Sequence, residues 1–318
     1  MKTYKKQLKH NPVWVLLTVL ALAVTACEID DIPDPNNPTV ESVLVNATVD
    51  DLNNIVVGTE AGMRTFLGTY YDNVGVIGRE HYRFSSADPR FTSDLLGAGS
   101  ATLDNNTFYT TNPWAGRYRV VKDANILIAS ANNTTLISEE QRQAYFAFAK
   151  TIKAHQLLLN LTMMYDTGIR INVEDPDNLG PFVEREAALD SIALLLDEAV
   201  VHIAAAGEEF PFSLSEGFAG FDDPEGFLQF NRALAARVAV YREEFEEALE
   251  ILDDSFLELN TNFNKGVYYT FSSAAGDLLN PLFIAPNQSG EIRIAHPSFI
   301  ADIEPNDDRI SKVLKRDK

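Results

Sequence analysis

Hydrophobic and polar positions divide the chain into stretches of different period. The most regular is SEEQRQAYFAFAKTIKAHQLLLNLTMMYD, 138–166, where Tyr145, Phe148, Ala149, Ile152, Gln156, Leu159 and Met163 recur at helical spacing. Leu157, Leu158, Leu161 and Met164 widen that stripe to most of the circumference. A helix apolar nearly all round needs cover on more than one side, so this one is predicted to be central. Ser138 is placed to cap its free N–H groups, and Glu139 and Glu140 stand at the positive end of its dipole. His155 falls inside the apolar pattern and reads as a core or interfacial histidine.

Further helices are predicted around it. DLNNIVVGTEAGMRTFLGTYY, 51–71, sets Ile55, Gly62, Met63, Phe66 and Tyr70 near helical spacing, and WAGRYRVVKDANILIAS, 114–130, opens with Trp114, expected in the core. EREAALDSIALLLDEAVVHIAAA, 184–206, carries Leu189, Ile192, Leu196, Ala199, Val200 and Ile203 on one face. FLQFNRALAARVAVYREEFEEALEILDDSFLEL, 227–259, reads as a helix pair that breaks near Arg242–Glu243. There Ala236, Phe245, Ala248 and Leu252 sit as in a tetratricopeptide hairpin: the alanines allow close approach, and Phe245 and Leu252 fill the gap.

Elsewhere the period fails. In 72–113, Gly, Asp, Asn, Thr and aromatic residues alternate irregularly, which predicts a long excursion. Loops of that length in a compact domain are usually functional or disordered. Tyr82, Phe84, Phe91, Phe108 and Tyr109 give this one apolar anchors. EDPDNLG, 174–180, reads as a turn, and beyond Asn260 short strand-like runs mix with turns. The closing NDDRISKVLKRDK lacks the packing or capping pattern expected at a domain end.

The N-terminus is of another kind. Lys2, Lys5, Lys6 and Lys9 precede VWVLLTVLALAV, 13–24. A basic stub followed by a short apolar run describes an export signal, and the run falls short of the roughly 20 residues of a membrane-spanning helix. It ends in VTAC, similar to the lipobox of bacterial lipoproteins, and Cys27 is the only cysteine in the chain. Cys27 is therefore expected to be a lipid attachment point that anchors the chain by its acyl groups. Next, 28–40 holds three prolines and four acids and reads as a hydrated tether. Glu28, Asp30 and Asp31 are either a signal for the outer face or a solvated linker. The expected organisation is a leader at 1–26, a lipidated acidic tether at 27–45 and a body at 46–318.

Charge narrows the partners. The chain has 26 basic and 46 acidic residues, net −20, and losing the four leader lysines would leave 22 against 46, or −24. Such a surface repels nucleic acid and anionic headgroups. With 46% apolar residues the body can bury a sizeable core. Catalytic constellations are missing from the sequence. His10, His81, His155, His202 and His296 form no metal-ligand pair, and there is no Gly-x-Ser-x-Gly elbow. GAGSAT at Gly97 has two glycines of a dinucleotide loop but no clear preceding strand. No cofactor, no metal and no enzyme activity are expected.

Several stretches taken in order resemble the SusD/RagB family of outer-membrane nutrient-binding lipoproteins. They are the lipobox with its acidic follow-on, GMRTFLGTYYDN, WAGRYRVVKDANILIAS, AYFAFAKTIKAHQLLLNLTMMYDTGIRIN, FVEREAALDSIALLLDEAVVHI and ALAARVAVYREEFEEALEILDD. TGIRIN replaces the family's usual Gly-acid-x-Pro turn. The resemblance implies a mainly α fold, with tetratricopeptide-like hairpins under an irregular, loop-rich ligand-binding part. It also implies that the C-terminal part of the family fold is missing here. The function implied is capture of a nutrient, an oligosaccharide or other oligomer, for a SusC-like TonB-dependent transporter. The site would be an outer membrane, lipid-anchored and facing the exterior. The alternative is a tetratricopeptide-type lipoprotein that assembles with a partner protein.

Within the excursion the expected ligand contacts are Tyr82, Arg83, Asp88, Arg90, Phe91, Asp94 and Tyr109. Rings would stack on sugar and Arg and Asp would hold hydroxyls. The alternative for each is packing of the loop on the helices.

Overall fold

The computed structural model describes residues 40–259, 262 and 264–317. The expected leader, Cys27 and the tether up to residue 39 lie outside these. Helices dominate: α1 (Val40–Asn46), α2 (Val49–Gly62), α3 (Leu67–Ile77), α4 (Arg90–Ser93), α5 (Phe108–Asn133), α6 (Glu139–Met164), α7 (Arg185–Ala204), α8 (Pro224–Tyr241), α9 (Phe245–Leu252) and α10 (Pro297–Asp302). Two antiparallel ribbons join them, β1 (His81–Ser85) with β4 (Glu291–Ala295) and β2 (Ile169–Arg170) with β3 (Phe182–Val183). The class is mainly α, as expected.

Order begins earlier than the tether boundary at residue 45 implied. α1 buries Val43 and packs on α5. The Oγ1 of Thr134, just beyond α5, donates to the Ala47 carbonyl at 2.6 Å, and Asn133 Nδ2 to that of Leu44 at 3.0 Å. These two bonds tie residues 40–47 to the body.

α6 is the central helix. Ser138 and Gln141 close a reciprocal capping box at its start. Tyr145, Phe148, Ala149, Ile152, Gln156 and Leu159 are buried, as their spacing predicted. α5 covers one side and α7 the other, and α8 and α9 continue the stack. α7 buries Leu189, Ile192, Leu196, Ala199 and Ile203, with Val200 half-buried. Trp114 is half-buried at the core's edge, its ring stacked on Phe182 at 6.0 Å between centroids.

Two departures have identifiable causes. The helix expected across 51–71 is broken between Gly62 and Leu67, with Phe66 in the left-handed region at φ 55°. Arg117, fully buried on α5, donates to the Met63 carbonyl at 2.7 Å and to that of Thr65. It thereby satisfies acceptors that a continuing helix would have used. The second departure is Phe245, expected to fill the gap between α8 and α9. It is 60% exposed, and the short α9 buries only Ala248. Standing at the first position of α9, directly after the Glu243 turn, Phe245 projects away from the hairpin.

The 72–113 stretch is more regular than its sequence suggested. It holds the end of α3, all of β1 and α4, and the start of α5. β1 gave no strong strand signal because its partner lies more than two hundred residues away. After α6 the chain turns sharply at Tyr165, φ 49°, and Gly168, φ 72°. A Cβ on Gly168 would lie 1.9 Å from the Val183 carbonyl oxygen, so only glycine lets β2 and β3 close. EDPDNLG lies in the loop between those strands and is a turn, with the Asn178 N–H donating to the Asp175 carbonyl.

Candidate binding site

Two neighbouring cavities lie where the irregular C-terminal segment covers the helices. The smaller, about 430 Å³, sits between α3 and the β1–β4 ribbon. Register places Arg83 opposite Arg293 in that ribbon. Like charges paired across strands repel, so this pairing needs a counterion. Asp72 on α3 supplies it: Arg293 donates to both its oxygens, at 2.6 and 2.7 Å, and Arg83 approaches to 3.7 Å. His81 Nε2 lies 3.4 Å from the same carboxylate, its ring seated over Gly75, where a Cβ would collide with it. Burial alone would raise the Asp72 carboxyl, but the hydrogen bonds from Arg293 and His81 and the charges of both arginines hold it below the usual carboxylate range. Glu291 takes the other edge of Arg83.

The walls of this cavity combine that charge network with apolar surface from Phe66, Phe91, Phe271, Leu279 and Pro281. Pro281 packs onto Gly68, within 2.8 Å of where a Cβ would stand. Arg64 borders it too, bonded to Asp277 at 2.6 Å and to the Thr270 carbonyl at 2.8 Å.

Of the residues expected to touch ligand, Arg83 and Phe91 line this cavity, the guanidinium lying 4.9 Å from the ring centre. Four of the others are paired with one another. Asp88 accepts from Arg90, which lowers the Asp88 carboxyl, and Arg90 continues to Thr107 and lies over Phe108. Tyr109 is 2% exposed, and its hydroxyl donates to Asp94 at 3.0 Å. Burial raises that phenol. Tyr82 is half-buried, edge-on to Phe84 and to His296. Arg83 and Phe91 are thus brought together, while Asp88, Arg90, Asp94 and Tyr109 fasten the excursion to α5.

The larger cavity, about 860 Å³, lies between α2, α6, α8 and residues 256–257 and 267–282. Its walls include Met63, Leu67, Phe230, Leu234 and Phe256, with Arg237 and His155 among the polar groups. Burial, reinforced by the charges of Arg117 and Arg237, depresses the His155 imidazole to about 3. His155 reads correctly from sequence as an interfacial residue; its exposure to a cavity carried no sequence signal. Arg64, Phe271 and Arg293 were missed as well, because their partners lie far apart in the chain. Arg64 and Phe271 border both cavities.

Among the described residues no group of three His, Cys, Asp or Glu side chains could hold a metal ion, and no helix is long and apolar enough to cross a membrane.

No family model and no curated protein matches the chain. The chain is similar to the crystal structure of a SusD superfamily protein from Bacteroides vulgatus ATCC 8482, at a TM-score of 0.36 and 18% identity. That alignment covers 65% of this chain and 46% of that one, so the chain spans less than half the length of the protein it resembles.

Proposed function

We propose that the chain is a non-enzymatic binding protein, lipid-anchored through Cys27 at the outer face of an outer membrane. It captures an oligosaccharide and passes it to a SusC-like TonB-dependent transporter. The observation that carries the binding reading is the smaller cavity, where aromatic rings stand beside two arginines paired through the Asp72 carboxylate. Sugars present an apolar face and a rim of hydroxyls, and need stacking surface and bidentate hydrogen-bonding groups together. Arg83, Asp72 and Arg293 supply the second and Phe66 and Phe91 the first, held by the stack of helices beneath. The lipobox and its acidic follow-on, read from sequence, support the location. The ordered likeness of the helical stretches to the SusD/RagB family supports the transporter.

A glycan array on the purified chain, followed by calorimetric titration of the best ligand, tests this. Phe66→Ala and Phe91→Ala should each weaken binding about tenfold, the effect of one lost stacking contact. Unchanged affinity in both would remove the cavity from consideration. A large barrel co-purifying from detergent-solubilised membranes is the expected sign of the transporter.

One observation favours the second reading, assembly with another protein. α9 exposes Phe245 at 60% and Leu249 at 67% on one side. A periplasmic partner in the same pull-down, in place of a barrel, would select that reading.

A further inference from the structure

The larger cavity has a chemistry unlike that of the smaller and lies beyond the reading above. At about 860 Å³ it falls within the span of small-molecule sites, roughly 300–1,000 Å³. Hydrocarbon makes up most of its wall, from Met63 and Leu67 at one side to Phe230, Leu234 and Phe256 at the other. A sugar there would set many of its hydroxyls against hydrocarbon, which is costly.

The charges on the wall are unequal in status. Arg64 is paired with Asp277, and Glu60 accepts from the Ser215 N–H at 3.1 Å. Arg237 also lines the cavity, yet among the described residues no hydrogen bond, ion pair or ring contact holds its guanidinium. Arg232, five residues earlier on α8, is tied to Asp197 at 3.0 Å. An unpaired cation beside apolar walls suits a ligand with one anionic group and an apolar body. Glu60 and Asp277 on the same wall disfavour a second negative charge, so a carboxylate fits better than a phosphate dianion.

We propose that this cavity binds an amphipathic monocarboxylate, its carboxylate paired with Arg237 and its apolar body lying between Met63, Phe230, Leu234 and Phe256. The protein would then hold two ligands of different class on opposite sides of Arg64 and Phe271.

Calorimetric titration of decanoate into the full chain, with decanol as its uncharged counterpart, tests the assignment. Decanoate should bind more tightly than decanol. Arg237→Gln should weaken decanoate about tenfold, the scale of one lost charged hydrogen bond, and leave decanol unchanged. Ala233→Trp, which fills the cavity from its wall, should abolish binding of both. Circular dichroism and thermal melting report whether that variant folds. Arg237 is exposed, so its replacement keeps the test decisive if the tryptophan variant does not. Failure of decanoate to bind, or equal affinity in Arg237→Gln, overturns the proposal. Binding that survives Ala233→Trp in a folded chain is non-specific partitioning and overturns it too. Phe91→Ala separates the two sites: it should alter glycan affinity and leave decanoate affinity as it was.

Discussion

Arg293 grips Asp72 with two donors, Nε to Oδ1 at 2.6 Å and Nη2 to Oδ2 at 2.7 Å, across 221 residues of sequence. This one contact fixes the ribbon to α3 and neutralises the Arg83–Arg293 pairing within it. Asp72→Asn removes the shared counterion and leaves Arg293 facing Arg83 with only Glu291, on the far edge of Arg83, to offset the two charges. Breaking a buried pair in this way costs about 3 kcal/mol or more. Denaturant unfolding should show that loss, and limited proteolysis should cut first near 285–302. A variant with wild-type stability and proteolysis would mean the ribbon is held by other contacts.

The same carboxylate sets an acid limit. Its folded value lies below the ordinary 3.8, so its contribution is complete above about pH 4 and disappears as pH falls through the lower folded value. The wild-type ribbon should therefore stay attached at pH 5 and loosen only in stronger acid. Proteolysis of 285–302 by an acid-active protease, followed against pH, reads this directly. In Asp72→Asn the same segment should be sensitive at every pH.

Arg117 is a buried cation with no carboxylate beside it among the described residues; its partners there are the carbonyls of Met63 and Thr65 and the side chain of Gln156 at 2.7 Å. Burial lowers its guanidinium pKa. Arg117→Met would fill similar space but leave three acceptors unpaired. At roughly 1 kcal/mol or more for each, the variant should lose about 3 kcal/mol in denaturant unfolding. The α2–α3 turn should exchange its amide hydrogens faster. If stability were retained, the turn would owe its shape to Gly116, which lies against the Thr65 carbonyl.

His155 gives stability a pH dependence of opposite origin from that of a salt bridge. Its folded value is about 3 against an ordinary 6.5, so between these values the unfolded chain takes up a proton that the folded chain does not. Its share of stability is full above pH 6.5 and declines as pH falls toward 3. His155→Gln should flatten the melting temperature between pH 6.5 and 4.5 relative to wild type. An identical slope in both would show that other groups govern this range.

How much of this was legible depends on the distance over which each signal acts. The faces of α6 and α7 and the break at Glu243 follow from residues three or four apart, and Ser138 announces its capping box within one turn. β1 and β4 carry no mutual signal, and Arg83 reads as a free cation until β4 is brought beside it. Arg90 and Asp88, chosen as ligand contacts because charge in a loop suggests recognition, are two residues apart and bind each other. Arg117 lay inside a stretch read as ordinary helix, where only the opposing turn reveals what it does.

Pro113 stands inside α5, where it lacks the N–H that would bond the carbonyl of Tyr109 four residues back. Asn73 from α3 repairs the gap: its side-chain amide donates to that carbonyl, and both side chains are buried, at 4% and 2% exposure. Asn73→Ala should therefore cost about 2 kcal/mol, the scale of a buried acceptor left unpaired. Pro113→Ala restores the missing helical donor, so combined with Asn73→Ala it should recover about 1 kcal/mol or more of that loss. A double-mutant cycle by denaturant unfolding measures this coupling, which independent sites would not show. Strictly additive effects would mean that Asn73 stabilises the α3–α5 contact through packing and not through the carbonyl that the proline leaves open.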